Sequence, residues 1–160
     1  MPTPEIRAAL SAWRMAERRW RATPAAGSAY VSTCLEVIGA WLSYQDLVGD
    51  RDSFILVVDD KRRYVAVSEA VRSVLGYEPA DLLGATTEAI LPTDLVPGAM
   101  MAWRRFLDDG AEEGEYRLQA KDRTEVAVRF EARAHNPIPG YHTLKSWPVA
   151  AGPRGRSSAA

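Results

Sequence analysis

Cysteine, histidine and lysine are scarce in this chain, and its apolar runs are short. The single cysteine, Cys34, excludes an intramolecular disulfide framework and a multi-thiolate zinc site. Within a helical pattern it reads as a small buried hydrophobe and not as a reactive thiol. The longest apolar runs, "FILVV" and "VIGAWL", fall far below the ~20 residues that span a bilayer, so no membrane helix is expected. Residues 1–20 carry Arg7, Arg14, Arg18 and Arg19 through an amphipathic pattern without an apolar core segment or small-residue cleavage site. They do not read as a signal peptide, and a cytoplasmic location is the expectation.

Charge of one sign is also missing. Twenty basic residues face 21 acidic ones for a formal net charge of −1, which offers no global field to nucleic acid. The basic set is 17 Arg and 3 Lys, a skew that fits codon usage and carries no functional weight. "ERRWRA", residues 17–22, mixes basic and aromatic residues; the preferred reading is an amphipathic helix with Trp20 inward and the arginines solvated. No nucleic-acid partner is expected.

Catalytic signatures are absent as well: no Gly-x-Ser-x-Gly, P-loop, His-Glu-x-x-His or dinucleotide fingerprint occurs. The carboxylate clusters at 59–60, 108–109 and 112–115 lie in apparent turns, where solvated Asp and Glu collect, and none falls on an expected inward face. No catalytic residue and no metal site are assigned, and the chain is not expected to be an enzyme. A small α+β enzyme working in an apolar cup is the rival reading from another class.

What is present divides the chain. Residues 4–22 place Ile6, Leu10, Trp13 and Trp20 on one helical stripe, with Pro4 suited to a first-turn position. "TPAAGS" breaks the pattern, with Ser28 a candidate cap, and a second helix over 29–47 carries Val31, Cys34, Leu35, Ile38, Trp41, Leu42 and Gln45 on one face. Residues 1–51 are thus a predicted helical hairpin.

After a polar turn the periodicity changes. "FILVVDD" and "YVAVS" read as strands apolar on both faces, joined by "KRR". A loop and a helix over 95–107, closed by Gly110, follow "VRSVLGYEPADLLG". Three more strands end the pattern. Tyr116, Leu118 and Ala120 alternate with charged residues, as do Val126, Val128, Phe130, Ala132 and Ala134, so one face is core and the other wet. Residues 150–160 read as a flexible tail.

The run "FILVVDDKRRYVAVSEAVRSVLGYEPADLLG" followed by "LPTD" resembles the PAS domain family over residues 52–149. The matching features are strand, turn, strand, short helix, Leu-Gly-Tyr, Leu-x-Gly and an aliphatic-Pro-x-Asp. The resemblance implies an α+β fold with a five-stranded antiparallel sheet, order 2-1-5-4-3, and short helices on its inner face. Where many members carry Asn at the end of the second strand, Ser68 stands here.

The resemblance also frames function. Flavin-photoreceptor members need a cysteine in the short-helix region, which is missing, and haem-binding members take an axial His from the long helix, which has none. His135 and His142 are read as a surface turn histidine and a strand histidine. The cofactor is therefore left unknown. The expected site is a small apolar or aromatic ligand held by Ser68, Leu75, Met101, Trp103, Tyr116, Leu118, Val128 and Phe130. A filled core without ligand is the equal alternative.

The hairpin is expected to cover the outer face of the first, second and fifth strands or to pair two copies. Trp13, Trp20, Leu35, Ile38, Trp41 and Leu42 are its expected homodimer contacts. The function implied is a sensory or regulatory module that signals through these helices and a partner in trans. A ligand-free homodimerisation adaptor is the alternative within binding proteins.

Overall fold

A proline preceded by threonine starts the first helix. Thr3 accepts the Ile6 N–H at 3.2 Å and Pro4 opens α1 (Pro4–Ala22), where a missing N–H costs nothing. The computed structural model describes residues 1–49 and 52–149; the expected tail at 150–160 lies outside the described residues. α2 spans Gly27–Val48, and Ser28 sits inside its first turn and does not cap it. Trp13 packs on Tyr44 with centroids 5.5 Å apart, Trp20 on Tyr30 at 6.4 Å, and Arg19 meets Glu36 at 3.3 Å. Those pairings run in opposite chain directions, so the two helices are antiparallel. Cys34, Val37, Ile38, Trp41 and Leu42 are buried, whereas Val31 and Leu35 are 49% and 43% exposed.

The chain divides into two compact units, Met1–Asp50 and Arg51–Ala160. The second is built on β1 (Phe54–Asp59), β2 (Tyr64–Val67), β3 (Ala111–Gln119), β4 (Glu125–Arg133) and β5 (Tyr141–Pro148). All neighbours are antiparallel, in the order β2-β1-β5-β4-β3. At the β1–β2 turn the Asp59 carboxylate accepts the N–H groups of Lys61 (2.9 Å) and Arg63 (3.0 Å), a local bond that favours the reversal.

Between β2 and β3 the chain forms α3 (Val71–Leu75), α4 (Pro79–Leu82), two 3-10 turns (Thr87–Ile90 and Thr93–Gly98) and α5 (Ala99–Asp109). Gly76 ends α3 at φ 80°, a left-handed conformation that a residue with a Cβ adopts only under strain. The Glu78 N–H donates to the Asp81 carboxylate at 3.0 Å, and this short helix starts at Pro79. α5 begins later than the sequence pattern suggests because Pro97, which lacks a backbone N–H, and Gly98 hold the preceding residues in a 3-10 turn. It ends at Gly110, φ 81°, as expected. Among the described residues no helix is long and apolar enough to cross a membrane.

Two ties fix these short elements to the sheet's far edge. The Lys121 N–H donates to Leu75 O at 2.9 Å, and the Tyr77 hydroxyl donates to Gln119 O at 3.2 Å. Val71, Leu75, Leu82 and Ile90 then join Phe54, Leu56, Leu118 and Val128 in one buried cluster. The pieces are too short for stability of their own and owe it to this burial.

Candidate functional site

Register decides which side chains face the helices. Residues paired across antiparallel strands share a face, and the pairs Leu56–Leu144, Val58–His142, Phe54–Ser146, Phe130–Ser146 and Tyr116–Val128 define the inner one. α5 lies opposite with Ala99, Ala102, Trp103 and Phe106 at helical spacing. Between sheet and helix is a cavity of about 470 Å³, within the ~300–1,000 Å³ typical of small-molecule sites. Its walls are mainly apolar. Its exposed rim includes Arg105, Glu112 and Glu113.

Trp103, Tyr116, Leu118, Val128 and Phe130 all line this cavity. Tyr116 meets Phe130 edge-on, centroids 6.1 Å apart and planes at 70°. Burial, followed by the negative charge of Glu112, pushes the Tyr116 phenol above its ordinary value. It is therefore a neutral hydroxyl at neutral pH, able to donate. Tyr64, on β2 at the other edge of the same sheet, is more deeply buried, and desolvation raises its phenol further.

The other three expected residues stand elsewhere. The Ser68 hydroxyl accepts the Ile55 N–H at 2.8 Å while the Ser68 N–H donates to Ile55 O at 2.9 Å, so its side chain fastens the end of β2 to β1. Leu75 belongs to the core cluster beside the cavity and not to its lining. Met101 is a correction: it is 74% exposed. Trp103 sets the inward phase of α5, and a residue two positions away lies about 200° around the helix on the solvent side. Glu112 is a second correction, because β3 begins at Ala111 and Glu112 pairs with Ala132, placing one carboxylate at the rim of the inner face.

Two wall residues were not among the expected ones. His142 is 2% exposed and stands edge-on to Trp103. Its Nδ1 accepts the His135 N–H at 3.0 Å, which leaves the ring proton on Nε2, 2.8 Å from Asp60 Oδ1. His135 Nδ1 in turn accepts the Gly140 N–H at 3.0 Å. With the Nδ1 lone pair accepting the His135 N–H and the Nε2–H facing Asp60, His142 has no nitrogen free for a metal in this arrangement. Among the described residues no group of three or more His, Cys, Asp or Glu gathers around a metal position.

Ser146 is the second. It is fully buried on β5, lines the cavity, and its hydroxyl has no hydrogen-bond partner among the described residues. The signal for both was the alternation of "YHTLKSWP", which puts His142, Leu144 and Ser146 on one face.

A family model described as PAS fold matches residues 50–138, more than half of the chain. The chain belongs to the PAS fold family. A PAS domain of a Colwellia psychrerythraea protein superposes with a TM-score of 0.60 at 12% identity, covering 72% of this chain and 99% of that one. The PAS-B domain of Drosophila melanogaster Cycle, solved with bound ethylene glycol, gives 0.52 at 19% identity, over 60% and 99%. The PAS domain of a LuxR-family transcriptional regulator from Burkholderia thailandensis, in complex with ethanol, gives 0.52 at 12%, over 62% and 90%. No curated protein matches the chain. Membership makes the PAS unit a sensory or regulatory module in general terms.

Proposed function

We propose that the PAS unit binds a small apolar or aromatic ligand in its cup and signals through the N-terminal hairpin. The observation that carries this reading is the cavity of about 470 Å³ between the inner sheet face and α5. A core filled by its own side chains leaves few voids larger than a water molecule. Trp103, Phe106, Tyr116 and Phe130 supply ring surfaces, and small hydroxyl compounds occupy two of the similar domains. Chemistry at this site is not proposed, since the carboxylates reach only its rim.

Signal output follows from packing. A ligand that favours one arrangement of α5 over the sheet biases the sheet, and the hairpin of residues 1–51 reads that bias by covering the sheet or by pairing two copies. Trp13 and Trp20 pack on Tyr44 and Tyr30 within the hairpin, and Ile38, Trp41 and Leu42 are buried. Leu35, with exposed Val31 one turn away, offers an apolar strip for the second copy. That strip also supports a second reading, a homodimerisation adaptor without ligand. The downstream partner acts in trans.

Native mass spectrometry of the purified full chain, with an absorption spectrum, separates the two readings. The ligand reading expects a mass excess that disappears on denaturation, or a raised melting midpoint with 2-naphthol as probe. A mass equal to the chain or its dimer, with no probe shifting the midpoint, overturns the ligand reading in favour of the adaptor.

A further inference from the structure

Ser146 is a polar atom set where the fold gives it nothing to bind. It sits on the central strand, paired across the sheet with Phe54 on β1 and Phe130 on β4. Its hydroxyl is buried and lacks a partner among the described residues, and the residue is part of the cavity lining on the inner face of the sheet. Buried hydroxyls almost always find a partner, and an orphan one is costly. A water there would need two or more polar neighbours to hold it. The surrounding inner-face residues Leu56, Val128 and Leu144 supply none, so Ser146 presents one hydrogen bond in an apolar wall.

Charge narrows the complement. An ionised group against Phe54, Phe130 and Leu144 would be desolvated with one hydroxyl as its only compensation. The lining carries Glu112, Glu113 and Glu115 against one guanidinium, Arg105, so an anion also meets an unfavourable rim. Ring surfaces on α5 (Trp103, Phe106) and on β3–β4 (Tyr116, Phe130) line the same cavity and can pack on a flat apolar body.

We propose that Ser146 is the buried anchor that sets ligand class: an uncharged ring compound whose single hydroxyl, or comparable hydrogen-bonding group, reaches β5 and bonds the Ser146 hydroxyl. This rests on the reading of the cup as a ligand site.

Calorimetric titration of the full chain with 2-naphthol, naphthalene and 2-naphthoate tests it. Wild type is expected to bind 2-naphthol about tenfold more tightly than naphthalene and to bind 2-naphthoate most weakly. Ser146→Ala removes the preference by weakening 2-naphthol alone, and its melting midpoint without ligand stays at or above wild type because an orphan hydroxyl is gone. Ser146→Cys, close in size and a weaker donor, loses most of the preference and guards against a folding defect. Equal affinity for 2-naphthol and naphthalene in wild type, a preference that survives in Ser146→Ala, or tightest binding of 2-naphthoate overturns this proposal while leaving the ligand site standing. Failure of all three probes on wild type overturns the ligand reading and this proposal together.

Discussion

The imidazole of His142 stands edge-on to the indole of Trp103, centroids 5.2 Å apart and planes at 89°. β5 is the middle strand and α5 the opposite wall, so this contact joins the two surfaces that bound the cavity. The same ring holds the His135 N–H and faces Asp60, which ties the cavity wall to the β4–β5 loop and the β1–β2 turn.

His142→Phe keeps an aromatic edge against Trp103 but removes the acceptor for the His135 N–H. The expected loss is about 1–3 kcal/mol in urea unfolding. Asp60→Ala should cost less than about 1 kcal/mol, because the Asp60 side chain is 67% exposed. Equal losses for the two variants would show that the Asp60 contact, and not the backbone bond, is what His142 contributes.

Leu75 and Met101 should separate cleanly. Leu75→Ala opens a void in a closed cluster and is expected to cost about 2–5 kcal/mol. Met101→Ala, on the solvent face of α5, should stay within about 0.5 kcal/mol and leave probe affinity unchanged. Thermal and urea melts of the two variants check this.

Arg62 in the β1–β2 turn reaches Glu88 in the first 3-10 turn at 2.6 Å, with both side chains largely covered. Burial is the largest influence and alone would push the Glu88 carboxyl up; the Arg62 hydrogen bond and charge, with the Glu88 backbone and Thr86 hydrogen bonds, together outweigh it and hold the group below its ordinary 4.5. A carboxyl depressed on folding stabilises the fold above the unfolded value, and that contribution disappears as pH falls through the folded one. Wild type should therefore lose stability below about pH 4.5 more steeply than Glu88→Gln. Parallel acid limbs in the two proteins would remove the pair from the account.

Tyr116→Ala is expected to fold, with a loss of about 2 kcal/mol for a half-buried ring, and to weaken 2-naphthol binding in calorimetry. Global unfolding would instead mark Tyr116 as plain core.

The strands were legible because "GEYRLQA" and "EVAVRFEAR" alternate with period two and "FILVV" does not; their order was implied only by the resemblance to the PAS family. Glycine at 76 and 84 permits the positive φ found there, and Pro79 starts a short helix without needing its N–H. Met101 was misplaced because the phase of α5 depends on Trp103, and two residues two apart on a helix cannot both face inward. Ser68 is expected at the ligand site, but its hydroxyl is taken by the Ile55 N–H on another strand, and no local pattern announces that partner. Ser146 and His142 stayed hidden for the same reason. Whether a strand hydroxyl or imidazole is satisfied depends on residues far away in sequence, such as Asp60 and the loop at His135.

The central claim is that a ligand in the cup is felt by the hairpin. Hydrogen–deuterium exchange of the full chain, with and without saturating 2-naphthol, tests it most directly. The account predicts slower exchange in β5 and α5 together with a changed rate in α1 or α2. Slower exchange confined to the cup, with both helices unchanged, would contradict it.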